Sequence, residues 1–136
     1  MEITLTAEQQ QLHSKLITAV NKIESAMANV IEYKDHEQLK FEIMSRTEML
    51  HNNGQLLSWA TALYDNAHGQ VASYMLTNEA LYKAANIVQK SWMQGQLTKW
   101  NALFVRTERV LKDLNNSIDG IISVLSYEKE AMKHSV

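Results

Sequence analysis

Residues 97–125 read LTKWNALFVRTERVLKDLNNSIDGIISVL. Every seventh residue from the start of this stretch is Leu97, Phe104, Leu111, Ile118 and Leu125; the set three positions on is Trp100, Thr107, Leu114 and Ile121. The steps alternate between three and four, with Thr107 the only polar member, a heptad that buries one seam of a helix. Such a seam needs partner helices, and the rest of the chain offers two more helical stretches.

The chain has 136 residues, a length suited to one domain with a sizeable core. It contains no proline, and its four glycines fall at 54, 69, 95 and 120. Proline breaks helix interiors and punctuates loops, so its absence predicts few, long helices. Thirteen basic and 15 acidic residues leave a formal charge of −2, which gives no general attraction to nucleic acid or to an anionic membrane. No cysteine is present, which excludes disulfides, thiolate metal sites and a cysteine nucleophile. Met1-Glu2-Ile3-Thr4-Leu5 lacks the basic start and apolar run of a signal peptide, and no window approaches the roughly 18 apolar residues of a spanning helix. The expectation is a soluble, cytoplasmic protein with no membrane or nucleic-acid partner.

Outward from the heptad, Thr6 and Gln9 form a capping-box pair that starts a first helix over about 7–51. Leu16, Val20, Ile23, Met27 and Val30 recur in one frame, which continues through Lys34, Glu37, Phe41 and Met44. Leu39, Ile43 and Leu50 point elsewhere, so an alternative is a break near 34–38 with Asp35 as the cap of a new helix. His51-Asn52-Asn53-Gly54 reads as the first hairpin corner. A second helix over about 55–94 follows the frame Leu57, Ala60, Tyr64, Ala67, Val71, Tyr74, Asn78, Leu81, Ala85, Val88 and Trp92, with a possible break at 77–78. Gln94-Gly95-Gln96 reads as the second corner because the frame slips there, and the third helix runs over about 97–133. The fold expected is all-α: an elongated, antiparallel up-down-up bundle of about three long helices in a single domain, or four helices if either break is real.

Charge is unevenly shared. The middle stretch has only Asp65, Glu79, Lys83 and Lys90, whereas its neighbours are rich in both signs. Opposite its main seam lie Trp59, Ala62, Asn66, Gly69, Ser73, Leu76, Ala80 and Ile87. Small residues bounded by large apolar ones let another helix approach closely, so this stripe is the candidate interface with a second copy or a partner protein.

Other signatures point to no chemistry. Glu48-x-x-His51 and Asp65-x-x-His68 have metal-ligand spacing, but the expected hairpin holds them apart. His68-Gly69 lacks the following basic residue and the later glycine of a phosphohistidine helix, having Gln70 and Ala72 instead. His13, His36 and His134 read as surface residues, and Trp92 and Trp100 as an apolar cluster beside the second corner. The sequence offers no catalytic residue, no metal site and no cofactor. It points to a protein-interaction module, an adaptor, inhibitor or regulatory subunit, acting through helix–helix contacts and homo-oligomeric. The alternatives are an export or assembly chaperone shielding an amphipathic client helix and, further off, a carboxylate–histidine metalloprotein.

Overall fold

Thr6 opens the first helix by a reciprocal cap: its N–H donates to Gln9 Oε1 at 2.9 Å, and the Gln9 N–H donates to Thr6 Oγ1 at 3.1 Å. The computed structural model describes residues 1–134, and these form an all-α helical bundle with no strand among the described residues. The helices are α1 (Ala7–Met27), α2 (His36–Asn52), α3 (Leu56–Thr77), a single turn α4 (Glu79–Tyr82) and α5 (Asn86–His134). None of the described helices is long and apolar enough to cross a membrane.

The chain divides into two compact units. The first takes Met1–Thr18 and Leu56–Glu108, so it holds the start of α1, all of α3 and α4, and the first half of α5. Its core includes Leu16, Leu56, Leu63, Ala67, Val71, Leu97, Trp100 and Leu103. Tyr74, near the end of α3, stacks on Trp92, near the start of α5, with centroids 5.6 Å apart. Gln70 meets Thr4, just before α1, while His13 meets Trp100 edge-on at 5.5 Å. These contacts set α3 antiparallel to both of its neighbours within the unit.

The second unit takes Ala19–Gln55 with Arg109 onward. Leu39 of α2 packs with Ile121 and Leu125 of α5, and Ile31, Ile43 and Val124 close around them. His36 at the start of α2 pairs with Glu128 near the end of α5, which fixes α2 antiparallel to α5 here as well.

The Leu97–Leu125 seam is buried as expected, with Phe104 and Leu111 half-buried and the other members buried. Thr107 is fully enclosed, and its hydroxyl donates to the Leu103 carbonyl at 2.8 Å. A threonine can satisfy itself in this way within a helical core without a partner from another helix.

The expected boundaries are corrected at three places. The 7–51 helix is interrupted over 28–35. Asp35 caps α2 by accepting from the N–H groups of Glu37 and Gln38, and Gln38 Oε1 accepts from the Glu32 N–H. The connector also resets the register: Leu39 is fully buried, whereas Phe41 and Met44, which the unbroken frame placed inward, are 64% and 72% exposed. The 55–94 helix ends at Thr77, because Asn78 caps α4 by accepting from the Leu81 N–H at 3.2 Å. Gln89 Nε2 then donates to the carbonyls of Leu81 and Tyr82, each at 3.0 Å, tying the end of α4 to α5. Finally, Gln94-Gly95-Gln96 is not a corner but the interior of α5. Trp92, Met93, Gln96, Leu97 and Trp100 all lie on its partly or fully buried side. The one-residue slip in the frame is the seam crossing between adjacent columns of one helix.

Asn53–Gln55 does form a turn, and it joins α2, which belongs to the second unit, to α3, which belongs to the first. α2 finds its partner in the second half of α5, and α3 finds its own in the first half.

Candidate functional site

The stripe expected to serve as an interface begins in the first unit, on the side of α3 turned away from Ala60, Leu63, Ala67 and Val71. Helical spacing places Ala62, Asn66, Gly69, Ser73 and Leu76 together on that side, with Trp59 at its start. Ala62, Gly69 and Ser73 are exposed, Leu76 is 64% exposed, and Trp59 and Asn66 are half-buried. A Cβ built on Gly69 would meet nothing within 4 Å, so the helix surface there is open.

Two of the eight expected residues fall outside this helix. Ala80 sits on α4 and Ile87, 78% exposed, on α5, because the Asn78 cap ends the period of α3 before it reaches them. The continuous stripe expected from 59 to 87 is therefore a stripe of α3 alone. Beyond it lies a separate group of exposed apolar side chains, Tyr82, Ile87 and Val88.

A shallow groove of about 660 Å³ runs along this face, lined by Met1, Asp65, Asn66, Gly69, Gln70, Ser73, Tyr74 and Thr77. Met1 lines the groove and Thr4 meets Gln70 at its edge, a placement of the leading residues that the sequence did not indicate. Ile3 and Leu5 are half-buried while Glu2, Thr4 and Thr6 are exposed, the alternation of an extended segment seated on a surface. That alternation was visible in Ile3-Thr4-Leu5; the helix that receives it was not.

Gln70 holds this segment by its carboxamide. Its Oε1 accepts from the Thr4 N–H at 2.9 Å, and its Nε2 donates to the Thr4 carbonyl at 2.7 Å. Nε2 also donates to Asn66 Oδ1, one turn earlier, at 3.2 Å. That bond orients the Asn66 amide, whose Nδ2 is buried and has no hydrogen-bond partner. Tyr64 and His68 lie with ring centroids 6.2 Å apart on the same helix.

The histidines are less uniform than surface residues would be. His134 is exposed, but His13 and His36 are half-buried. Burial and the nearby Lys99 ammonium hold the His13 pKa below its ordinary value, as both disfavour the imidazolium. Lys99 Nζ lies 5.0 Å from the Trp100 ring centroid, so the cation and the imidazole share one indole. Trp92 and Trp100 thus belong to the interior of α5 within the first unit, not to a corner.

Glu48, His51, Asp65 and His68 are all exposed, and no group of three or more histidine or carboxylate side chains able to hold a metal ion exists among the described residues. The second unit holds one side chain that the sequence did not mark, Arg46. It is buried, with Nε donating to Glu42 Oε2 at 3.1 Å and Nη2 left without a partner.

No family model, curated protein or solved structure matches the chain. Its function rests on the chemistry of its own surface.

Proposed function

We propose that this chain is a small protein-interaction module, an adaptor, inhibitor or regulatory subunit, that associates through the outer face of α3 by helix-on-helix contact with a second copy of itself. The observation that supports this reading is the lane Ala62, Gly69, Ser73 and Leu76: small, uncharged, exposed and ending in a large apolar side chain. Small residues let two helix backbones approach closely, and the exposed Leu76 gains by being covered. Asp65 borders the lane but no charged residue interrupts it.

Ser73→Arg tests the proposal. At an open surface this change shifts stability by about 0.5 kcal/mol or less. At a close helix contact it introduces volume and a charge that must be desolvated. The expected result is a chain that keeps its helical circular dichroism and melting temperature but falls to half its mass by light scattering. Wild type that is already monomeric at micromolar concentration would refute self-association. The chaperone reading draws on a different feature, the exposed Tyr82, Ile87 and Val88 beyond α3. A monomer that binds an amphipathic helical peptide there, with Ser73→Arg unaffected, would favour it.

A further inference from the structure

The contact between Gln70 and Thr4 reads main chain rather than side chain. A primary carboxamide and a peptide unit carry the same donor and acceptor, and here they match reciprocally, as two peptide units do in a sheet ladder. Only the longer approach of the Thr4 hydroxyl to Gln70 Oε1, at 3.4 Å, involves the threonine side chain. Gln70 is thereby saturated: its oxygen faces the Thr4 N–H, and its nitrogen serves the Thr4 carbonyl and Asn66 Oδ1. Asn66 is not. Its orientation is fixed by the bond from Gln70, and its Nδ2 is enclosed without an acceptor. One turn of α3 therefore sets two amides in series, one engaged by an extended backbone and the next, with its own donor enclosed, orienting the first.

We infer that the Asn66–Gln70 pair is a receptor for the main chain of an extended polypeptide segment, and that residues 1–5 occupy it in cis as a displaceable strap. The ligand is an extended segment with apolar residues flanking a small polar one, as in Ile3-Thr4-Leu5, whose central N–H and C=O pair with the Gln70 carboxamide while Asn66 holds that carboxamide in place. The seated strap is itself the example of that chemistry. Its side-chain alternation orients the segment, while the carboxamide supplies an attachment that any non-proline residue at the central position can satisfy. Asn66 and the groove border the Ala62–Gly69–Ser73 lane, but the clasp on Thr4 is made by Gln70, so the inference does not depend on self-association and goes beyond it.

The test uses the full chain. Thr4→Pro removes the N–H that donates to Gln70, and proline's fixed φ suits an extended segment ahead of a helix. The probe is a fluorescein-labelled peptide, Met-Glu-Ile-Thr-Leu-Thr, followed by anisotropy. The Thr4→Pro chain should bind it saturably and at least tenfold more tightly than wild type, whose receptor is filled in cis. Adding Gln70→Ala should abolish that binding. N-methylation of the peptide's threonine nitrogen should abolish it too, whereas changing that threonine to alanine should alter it less than threefold. In parallel, hydrogen exchange at the Thr4 amide of otherwise wild-type protein should speed up at least tenfold in Gln70→Ala, a readout that holds even if Thr4→Pro folds poorly. Equal peptide binding by wild type and Thr4→Pro, binding that survives Gln70→Ala, or an unchanged Thr4 exchange rate would each overturn the inference. A change in mass without a change in peptide binding would bear only on self-association.

Discussion

Replacing the buried Arg46–Glu42 pair by apolar residues should make this protein more stable. Arg46 occupies a seam position of α2, three residues after Ile43 and four before Leu50, where an aliphatic side chain would be ordinary. The side chains of Arg46 and Glu42 are only 5% and 14% exposed, so both charges have been largely stripped of water. One bond at 3.1 Å joins them, and Nη2 has no partner. Removing an arginine and a carboxylate from water costs several kcal/mol per ion, and a single pairing roughly returns that. An unsatisfied buried donor adds a further penalty of about 1–3 kcal/mol. The pair as a whole is thus neutral to unfavourable against a hydrophobic substitute. Arg46→Met with Glu42→Leu should gain about 1–3 kcal/mol in urea denaturation, with the slope of the transition unchanged. Arg46→Met alone should lose about 1–3 kcal/mol, because Glu42 then keeps its buried charge without a cation; its residual exposure holds the loss below the 3–5 kcal/mol of fully buried pairs. The sign difference between single and double variants is the diagnostic. A double variant less stable than wild type by more than about 1 kcal/mol would show that the pair is a net contributor, and the desolvation argument would fail.

The α5 seam should respond unevenly: Leu114, fully buried, should lose about 2–5 kcal/mol on substitution by alanine, and half-buried Leu111 distinctly less. Leu114→Asp should abolish the cooperative thermal transition in circular dichroism, whereas Leu111→Asp, with its carboxylate able to reach water, should still fold; equal effects at the two sites would contradict the burial pattern. His13 gives a pH dependence whose sign follows from its lowered pKa. The unfolded chain takes up the proton first, near the ordinary value of 6.5, so the stability owed to neutral His13 is complete above that pH and is lost as pH falls through the lower folded value. His13→Gln should flatten that part of the acid limb in denaturant titrations, and an unchanged limb would show that the imidazole packed on Trp100 contributes nothing to it.

Periodicity made the helical class and the main seam legible, because a heptad is a local property of consecutive residues. Leu97, Trp100, Leu114, Ile118, Ile121 and Leu125 are buried as their spacing requires. What periodicity could not rank was the competition among weak punctuation signals. Asn53-Gly54 reads as the strongest reversal, Gln94-Gly95 the next, and Asp35 and Asn78 the weakest, yet Asp35 ends the connection at 28–35 and Asn78 begins the one at 78–85. Glycine in a helix interior costs only about 1 kcal/mol relative to alanine, which flanking seam residues such as Trp92 and Leu97 easily outweigh. An Asp or Asn that accepts from the first-turn N–H groups supplies a start signal of similar size, and it prevails where the preceding frame, as at Lys34 and Glu37, would have buried a charge. The decisive comparison lay between the seam on either side of each signal, not in the signal itself.

The candidate site was legible to the same degree and for the same reason. Ala62, Gly69, Ser73 and Leu76 share a face because they share a helix, and the stripe fails at Ala80 where the helix ends. The strap was not legible at all. Nothing in Gln70, a common helix residue, singles it out until the chain brings Thr4 beside it across a separation of 66 positions. Pairing of that kind is a tertiary fact: the glutamine has no local reason to be there, and a solvent-facing amide would be neutral in α3. Its use becomes apparent only once the extended residues ahead of the Thr6 cap are seen to need a donor and an acceptor that no neighbouring strand supplies. A helix side chain provides both, so the main-chain groups of Thr4 are met without a sheet. The face of α3 that the charge pattern left bare is therefore not uniform: one lane is open and small, and the other already holds a polypeptide backbone.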